Sequence, residues 1–134
     1  MIENEIEQIL LNPKNVDEQL NDLTDEFRGG RNPWELLELF EHNNNEAIEI
    51  GLYIINEIII EDDILNEQLK HKLTKLIKVK DSNIRMSSFL ILSQIYTDYS
   101  ESEKEIDLYK TMIKDNDKHI IETGKKLLKD GHLK

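Results

Sequence analysis

The chain has no cysteine, two prolines, five glycines and only 6% aromatic residues. Without cysteine there is no disulfide framework, no thiolate nucleophile and no thiolate metal ligand. Few prolines and glycines leave little room for long loops. Scarce aromatics leave the filling of a core to Leu and Ile. Long apolar runs are missing as well: nothing approaches the ~20 residues that a membrane-spanning helix needs. The run Ile58–Ile60 is stopped by Glu61, Asp62 and Asp63. The opening MIENEIEQILLN is acidic where a secretory signal is basic, so a cytoplasmic location is expected. Basic residues are scarce in one half only. Residues 1–66 carry 17 Asp/Glu against Lys14, Arg28 and Arg31, a net −14, whereas residues 67–134 carry a net +3.

What is present is a repeat. The segment LELFEHNNNEAIEIGLYIINEI from Leu37 aligns with TKLIKVKDSNIRMSSFLILSQI from Thr74, 37 residues on. Leu39 falls on Leu76, Phe40 on Ile77, Gly51 on Ser88, Leu52 on Phe89, Ile55 on Leu92 and Ile58 on Ile95. A third copy follows 36 residues later, with Met112 on Leu76, Ile113 on Ile77, Asp117 on Asp81, Ile120 on Ile84, Gly124 on Ser88 and Leu128 on Leu92. A period in this range marks stacked helix pairs, each burying its apolar face on the next. The expectation is an all-α chain, one domain over residues 1–134, built as an α-α superhelix of about four antiparallel helix pairs. Gly51 and Gly124, each costing about 1 kcal/mol against alanine inside a helix, are expected where neighbouring helices approach closely.

Helix punctuation divides the chain into eight helices. The first spans about Ile2–Leu11, with Ile2, Ile6, Ile9 and Leu10 on one side, and Pro13 interrupts it. Asn15 with Glu18 reads as a capping box opening a second helix to Arg28, with Val16, Leu20, Leu23 and Phe27 inward; Gly29 and Gly30 stop it. Asn32-Pro33-Trp34-Glu35 opens a third helix to about His42, with Asn32 as cap, Pro33 in the first helical position and Glu35 closing the box. Asn43–Asn45 makes a turn. The fourth helix is expected over about Glu46–Glu61, with Ile48, Leu52, Ile55 and Ile59 inward, the fifth over Leu65–Val79 and the sixth over Asn83–Asp98. Ser100 with Glu103 reads as a capping box for a seventh helix to Lys114. The eighth runs over Lys118–Lys129, closed by Gly131. The first pair aligns poorly with the others, as a terminal cap does.

The stretch Asp81-Ser82-Asn83-Ile84-Arg85, followed by the small residues Ser87 and Ser88, resembles the turn and second helix of HEAT repeats. In those repeats an Asp ends the turn, an aliphatic residue and an Arg follow, and a small residue lets helices approach. The third copy keeps Asp117 and Ile120 but has Ile121 in place of the Arg. The copy before has Asn44, Ala47 and Ile48. Phe27 to Leu37, read as FRGGRNPWELL, followed by a helical repeat containing Gly51, is similar to small bacterial HEAT-like immunity proteins of polymorphic and contact-dependent inhibition systems. That resemblance implies a short, acidic, non-enzymatic protein that neutralises a cognate toxin by binding it, as a monomer before complex formation.

Chemistry-bearing constellations are sparse. His42, His71, His119 and His132 lie near helix ends or on polar faces, and none sits beside a nucleophile in a recognisable motif. His119 and Glu122 could share a metal but lack an evident third ligand. Acid pairs such as Glu46 with Glu49, Glu57 with Glu61 and Asp62 with Asp63 arise by chance among 28 acids. Gly29-Gly30 has no phosphate-loop lysine after it. The expectation is therefore no enzyme, no cofactor and no metal. An acidic half repels nucleic-acid phosphate and steers a basic protein, although acidity by itself also serves solubility.

On the second helices of successive pairs, Glu46, Glu49, Tyr53, Asn56 and Glu57 face outward from the fourth helix, and Met86, Leu90 and Gln94 from the sixth. These residues are the candidate partner-binding surface. Arg31 and Trp34 are further candidates. Trp34 suits either helix-start packing or a partner-facing anchor, and Arg28 and Arg31 either pair with Asp25, Glu26 or Glu35 or sit at the binding site. The function expected is binding of a basic protein, a toxin domain in the immunity reading. A general HEAT-like protein–protein adaptor is the alternative.

Overall fold

A computed structural model describes residues 2–58 and 60–131. Among these residues every regular element is helical. Helix α1 spans Ile2–Leu11 and is followed by a 3-10 turn, Pro13–Asn15. Helix α2 spans Val16–Arg28, and the short α3, Trp34–Leu37, continues as a 3-10 turn over Glu38–Glu41. Then come α4 (Asn45–Glu57), α5 (Asp63–Leu76), α6 (Ser82–Asp98), α7 (Ser102–Ile113) and α8 (Lys118–Gly131). Sequential helices pack as pairs, α1 on α2, α3 on α4, α5 on α6 and α7 on α8. Helix α4 lies against α6, and α6 against α7, so the pairs stack along the chain. One continuous apolar core runs from Ile2 and Ile6 through Leu36, Leu52, Leu69 and Phe89 to Met112 and Ile120. No described helix is long and apolar enough to cross a membrane.

The repeat seen in the sequence is carried by recurring contacts. Asn44, Asp81 and Asp117 precede α4, α6 and α8, and each side chain accepts a backbone N–H of the helix it opens. Asn44 Oδ1 takes Glu46 N at 2.9 Å, Asp81 Oδ1 takes Ile84 N at 3.1 Å, and Asp117 Oδ1 takes Ile120 N at 3.1 Å. These bonds satisfy donors that a helix start leaves free. Three residues after each cap the side chain is wholly inside: Ala47, Ile84 and Ile120. Four residues further on comes the small residue. A Cβ on Gly51 would lie 3.0 Å from the Phe40 ring and 3.2 Å from Leu39 Cβ; on Gly124 it would lie 2.6 Å from Met112 Cβ and 3.2 Å from Ile113 N. Leu39 and Met112, and Phe40 and Ile113, are the residues that the alignment equates. Ser88, the third of the set, is fully buried.

Arg85, unique to the middle copy, ties two turns together. Its Nη1 donates to the Val79 and Lys80 carbonyls at 3.0 and 2.8 Å, and its Nε and Nη2 reach Asp115 Oδ2 and Oδ1 in the next turn. The third helix, expected to about His42, is α-helical only over Trp34–Leu37 and runs on as a 3-10 turn to Glu41. Asn32 Oδ1 accepts Trp34 N at 3.1 Å.

Several boundaries differ from expectation. Asn15 precedes α2 but makes no side-chain cap bond, because a 3-10 turn already occupies Pro13–Asn15. Glu35 does not close a box, since its carboxylate is taken by Arg31. Helix α4 stops at Glu57 instead of Glu61, with Ile58 extended. Asp62 is needed as the cap of α5, accepting Ile64 N at 2.9 Å and Leu65 N at 3.1 Å, so a helix through Glu61 would remove that start. Ile59, expected inward on the fourth helix, lies outside the described residues, as does His132. Ser100 does not cap α7. It is the left-handed residue that ends α6, at φ 57°, with Ser100 N on Thr97 O and Glu101 N on Tyr96 O. The same paired bonds close α2, where Gly30 at φ 113° takes that place and Gly30 N and Arg31 N reach Phe27 O and Glu26 O. Both are Schellman ends, and glycine is the usual occupant.

Candidate binding groove

Stacking of α4 on α6 leaves a furrow between their outward faces, because the positions that do not pack diverge on either side of the contact line. Near the middle of α4 the furrow holds a depression of about 210 Å³ lined by Glu49, Leu52, Tyr53, Asn56, Ser87, Leu90 and Ile91. Toward the ends of both helices it widens into a larger depression of about 340 Å³, walled by Ile55, Ile58, Ile60, Leu69, Ile91 and Ile95 and rimmed by Asn56, Asn66, Gln94, Asp98 and Tyr99. The two share Asn56 and Ile91 and so form one groove.

The sequence candidates divide accordingly. Glu49, Tyr53, Asn56 and Gln94 line the groove, with Leu90 beside them. Tyr53 and Leu90 are 42% and 44% exposed, an apolar surface open to a partner. Glu46 is exposed beyond the end of the groove. Glu57 is exposed on the last turn of α4, where Arg28 Nη2 donates to its Oε2 at 3.0 Å. Met86 is half-buried against the core and lines neither depression.

Arg31 and Trp34 are not brought to the groove. The Arg31 guanidinium stands 5.0 Å over the Phe27 ring and is ringed by Glu5, Glu26 and Glu35. The hydrogen bonds that it donates to Glu35, then those to Glu5, raise its pKa. It joins α1, α2 and α3, the pairing role that the sequence left open. Trp34, at the start of α3, is 38% exposed.

Electrostatics at the groove follow from its acids. Burial, then the nearby charges of Asp81 and Glu46, push the Glu49 carboxyl above the usual range. Among the described residues no Lys or Arg nitrogen lies within salt-bridge distance of Glu49. A positive charge arriving there would favour the ionised form. At the larger depression Gln94, Asp98, Asn66 and Tyr99 are engaged internally. Gln94 Nε2 donates to Asp98 Oδ1 at 2.8 Å. The Tyr99 hydroxyl accepts from Asn66 Nδ2 and donates to Asp63 Oδ1, both at 2.8 Å.

Ile55, read as inward from the sequence, is buried in the core together with Leu69, Ile91 and Ile95, which show only an edge to the depression. What the sequence reading missed is that α4 stops at Glu57, so Ile58 and Ile60 leave the helix and join that wall. The signal available was Asp62, whose capping chemistry forbids a continuous helix.

For chemistry the arrangement offers little. His42 Nδ1 accepts Asn44 N at 3.0 Å, a turn contact. Ser93 Oγ, the Tyr109 hydroxyl and Glu105 form a chain of hydrogen bonds between α6 and α7. Ser93 and Tyr109 are buried, and burial, then the bond to Glu105, push the Tyr109 hydroxyl up to about 12. Among the described residues no three His, Asp or Glu side chains cluster to hold a metal, His119 and Glu122 included. Compared with family models, curated proteins and solved structures, the chain matches none of them.

Proposed function

We propose that the chain is a HEAT-like α-α superhelix that binds a basic protein through the α4–α6 groove, acting as an immunity protein that neutralises a bacterial toxin domain. One observation carries the reading: a furrow whose α4 side belongs to the half of net charge −14 and holds Glu49, an acid with no salt-bridge partner among the described residues, with the open apolar side chains Tyr53 on α4 and Leu90 on the facing α6. Three further facts support it. The capping residue, the buried aliphatic and the small residue recur at matching offsets in successive pairs, as in HEAT repeats. Arg85 links neighbouring turns from the position where the resemblance places an arginine. The FRGGRNPWELL segment, similar to immunity proteins, forms the α2–α3 junction locked by Arg31.

The test is the affinity for the product of the gene directly upstream, together with growth when the two are co-expressed. Nanomolar-range binding with rescue of growth is the expected result; no binding and no rescue overturns the immunity reading. Binding of a non-toxic partner through the same groove would support the general adaptor instead.

A further inference from the structure

We infer that the groove takes a helical segment of its partner in which an apolar anchor side chain lies about two turns from a lysine or arginine, the anchor entering the depression walled by Ile55, Ile91 and Ile95 and the cation meeting Glu49. The inference rests on reading the groove as a protein-binding site and adds what that site selects.

The larger depression asks for an apolar tip. Its walls are isoleucine and leucine, and four of the five polar residues on its rim are already engaged, Gln94 with Asp98 and Tyr99 with Asn66 and Asp63, leaving Asn56 at the junction of the two depressions. A polar side chain entering there would lose water and find few free partners, which is unfavourable; an aliphatic or aromatic tip would lose only its contact with water. The other end asks for a cation. Glu49 is half-buried, its charged neighbours are the acids Asp81 and Glu46, and the exposed ring of Tyr53 lies beside it in the same depression. A lysine or arginine stem can lie on such a surface while its head meets the carboxylate. The spacing follows from α4 itself: Asn56, which borders both depressions, lies seven residues or about 10 Å beyond Glu49 along the helix, so the larger depression begins about two turns from that carboxylate. Residues seven apart on a partner helix span the same length and share a face.

The probes are two amphipathic helical peptides of roughly 12 residues, about 18 Å long. One carries leucines at one end and lysines seven positions on; the other has the same charge with serine for leucine. Binding is followed by NMR of the isoleucine and leucine methyl groups and by titration. The leucine peptide is expected to shift the Ile55, Ile91 and Ile95 methyls and to bind at least about tenfold more tightly than the serine peptide, a 1.4 kcal/mol difference. Gln94→Trp, placed on an exposed rim position to fill the depression, should abolish that preference, bringing the leucine peptide down to the affinity of the serine peptide. Glu49→Gln should weaken both peptides. Equal affinities, shifts elsewhere or no binding of either peptide would overturn the inference. The upstream gene product separates the two proposals: leucine-selective binding with no binding of that product removes the immunity reading alone, whereas binding of that product with no peptide preference removes this inference alone.

Discussion

Arg85 and Asp115 face each other as fork and carboxylate, Nε to Oδ2 at 3.1 Å and Nη2 to Oδ1 at 2.9 Å, with both side chains 9% exposed. Two parallel bonds fix the relative position of the α5–α6 and α7–α8 turns more tightly than a single contact. Leaving one member alone strands a buried charge. Arg85→Met is therefore expected to lower unfolding stability by about 3–5 kcal/mol, with Arg85→Met/Asp115→Leu losing less than that single variant. Urea denaturation of the variants measures both.

The same pair gives the fold an acid limb. Burial pushes the Asp115 carboxyl up, but the Arg85 hydrogen bond and the N–H groups of Asp117 and Asn116 outweigh it, so it titrates below the ordinary value. A carboxylate depressed in the fold contributes stability above its unfolded pKa of about 3.9 and loses it as pH falls through the lower folded value. Unfolding free energy measured over roughly pH 2 to 5 should fall more steeply for the parent than for Asp115→Asn.

Gly124 sits closer to its neighbours than Gly51. A methyl group there meets Met112 Cβ and the Tyr109 carbonyl, and the latter is backbone that cannot step aside. Alanine in a helix normally gains about 1 kcal/mol over glycine. Gly124→Ala should nevertheless destabilise, by about 1–3 kcal/mol, whereas Gly51→Ala, facing the movable Phe40 and Leu39 side chains, should come out nearer neutral. Melting temperatures decide the order, and leucine at either position should be worse than alanine.

Ser100 holds a left-handed backbone at φ 57°, a conformation that L side chains adopt at a cost of about 1–2 kcal/mol. Ser100→Gly should stabilise the fold by roughly 0.5–1 kcal/mol after the greater freedom of glycine in the unfolded chain is subtracted. A drop in melting temperature would refute the assignment of Ser100 as the end of α6.

In the proposed complex, affinity should track the charge on Glu49. Its carboxyl titrates above the usual range, and only the ionised form attracts a cation. Affinity for the basic partner should fall as pH drops through that raised value, and Glu49→Gln should flatten the profile. Lysine at both Glu49 and Glu57 should slow association chiefly, with salt compressing the difference.

The repeat was legible because it is written in residues whose physics is local. Asp81 and Asp117 cap, Ile84 and Ile120 bury, and Gly124 yields space, so their spacing survives translation into structure. Two kinds of signal misled. Ser100 with Glu103 spells a capping box, but a serine ending α6 uses the same letters, and only the packing of α6 on α7 selects between them. The run Ile58–Ile60 keeps helical period past the point where Asp62 must start a new helix, so the sequence places Ile58 and Ile60 on the fourth helix instead of in the connection that walls the groove. On the groove itself, Glu49, Tyr53, Asn56 and Gln94 were found because outward positions follow from the inward ones. Arg31 was ambiguous because a lone arginine among acids looks the same whether it waits for a partner or, as here, already holds three carboxylates.

Arg28 joins Asp25 to Glu57 across two helices, both carboxylates within 3.0 Å of its guanidinium. The outward face of α4 thus carries a resident cation at Glu57, just outside the groove, and among the described residues none at Glu49. A cation arriving at Glu57 must exchange with a resident that already occupies it, whereas one arriving at Glu49 displaces only water. That asymmetry sets a direction: a bound segment gains most by placing its charge at the Glu49 end, so the groove has a polarity before anything enters it.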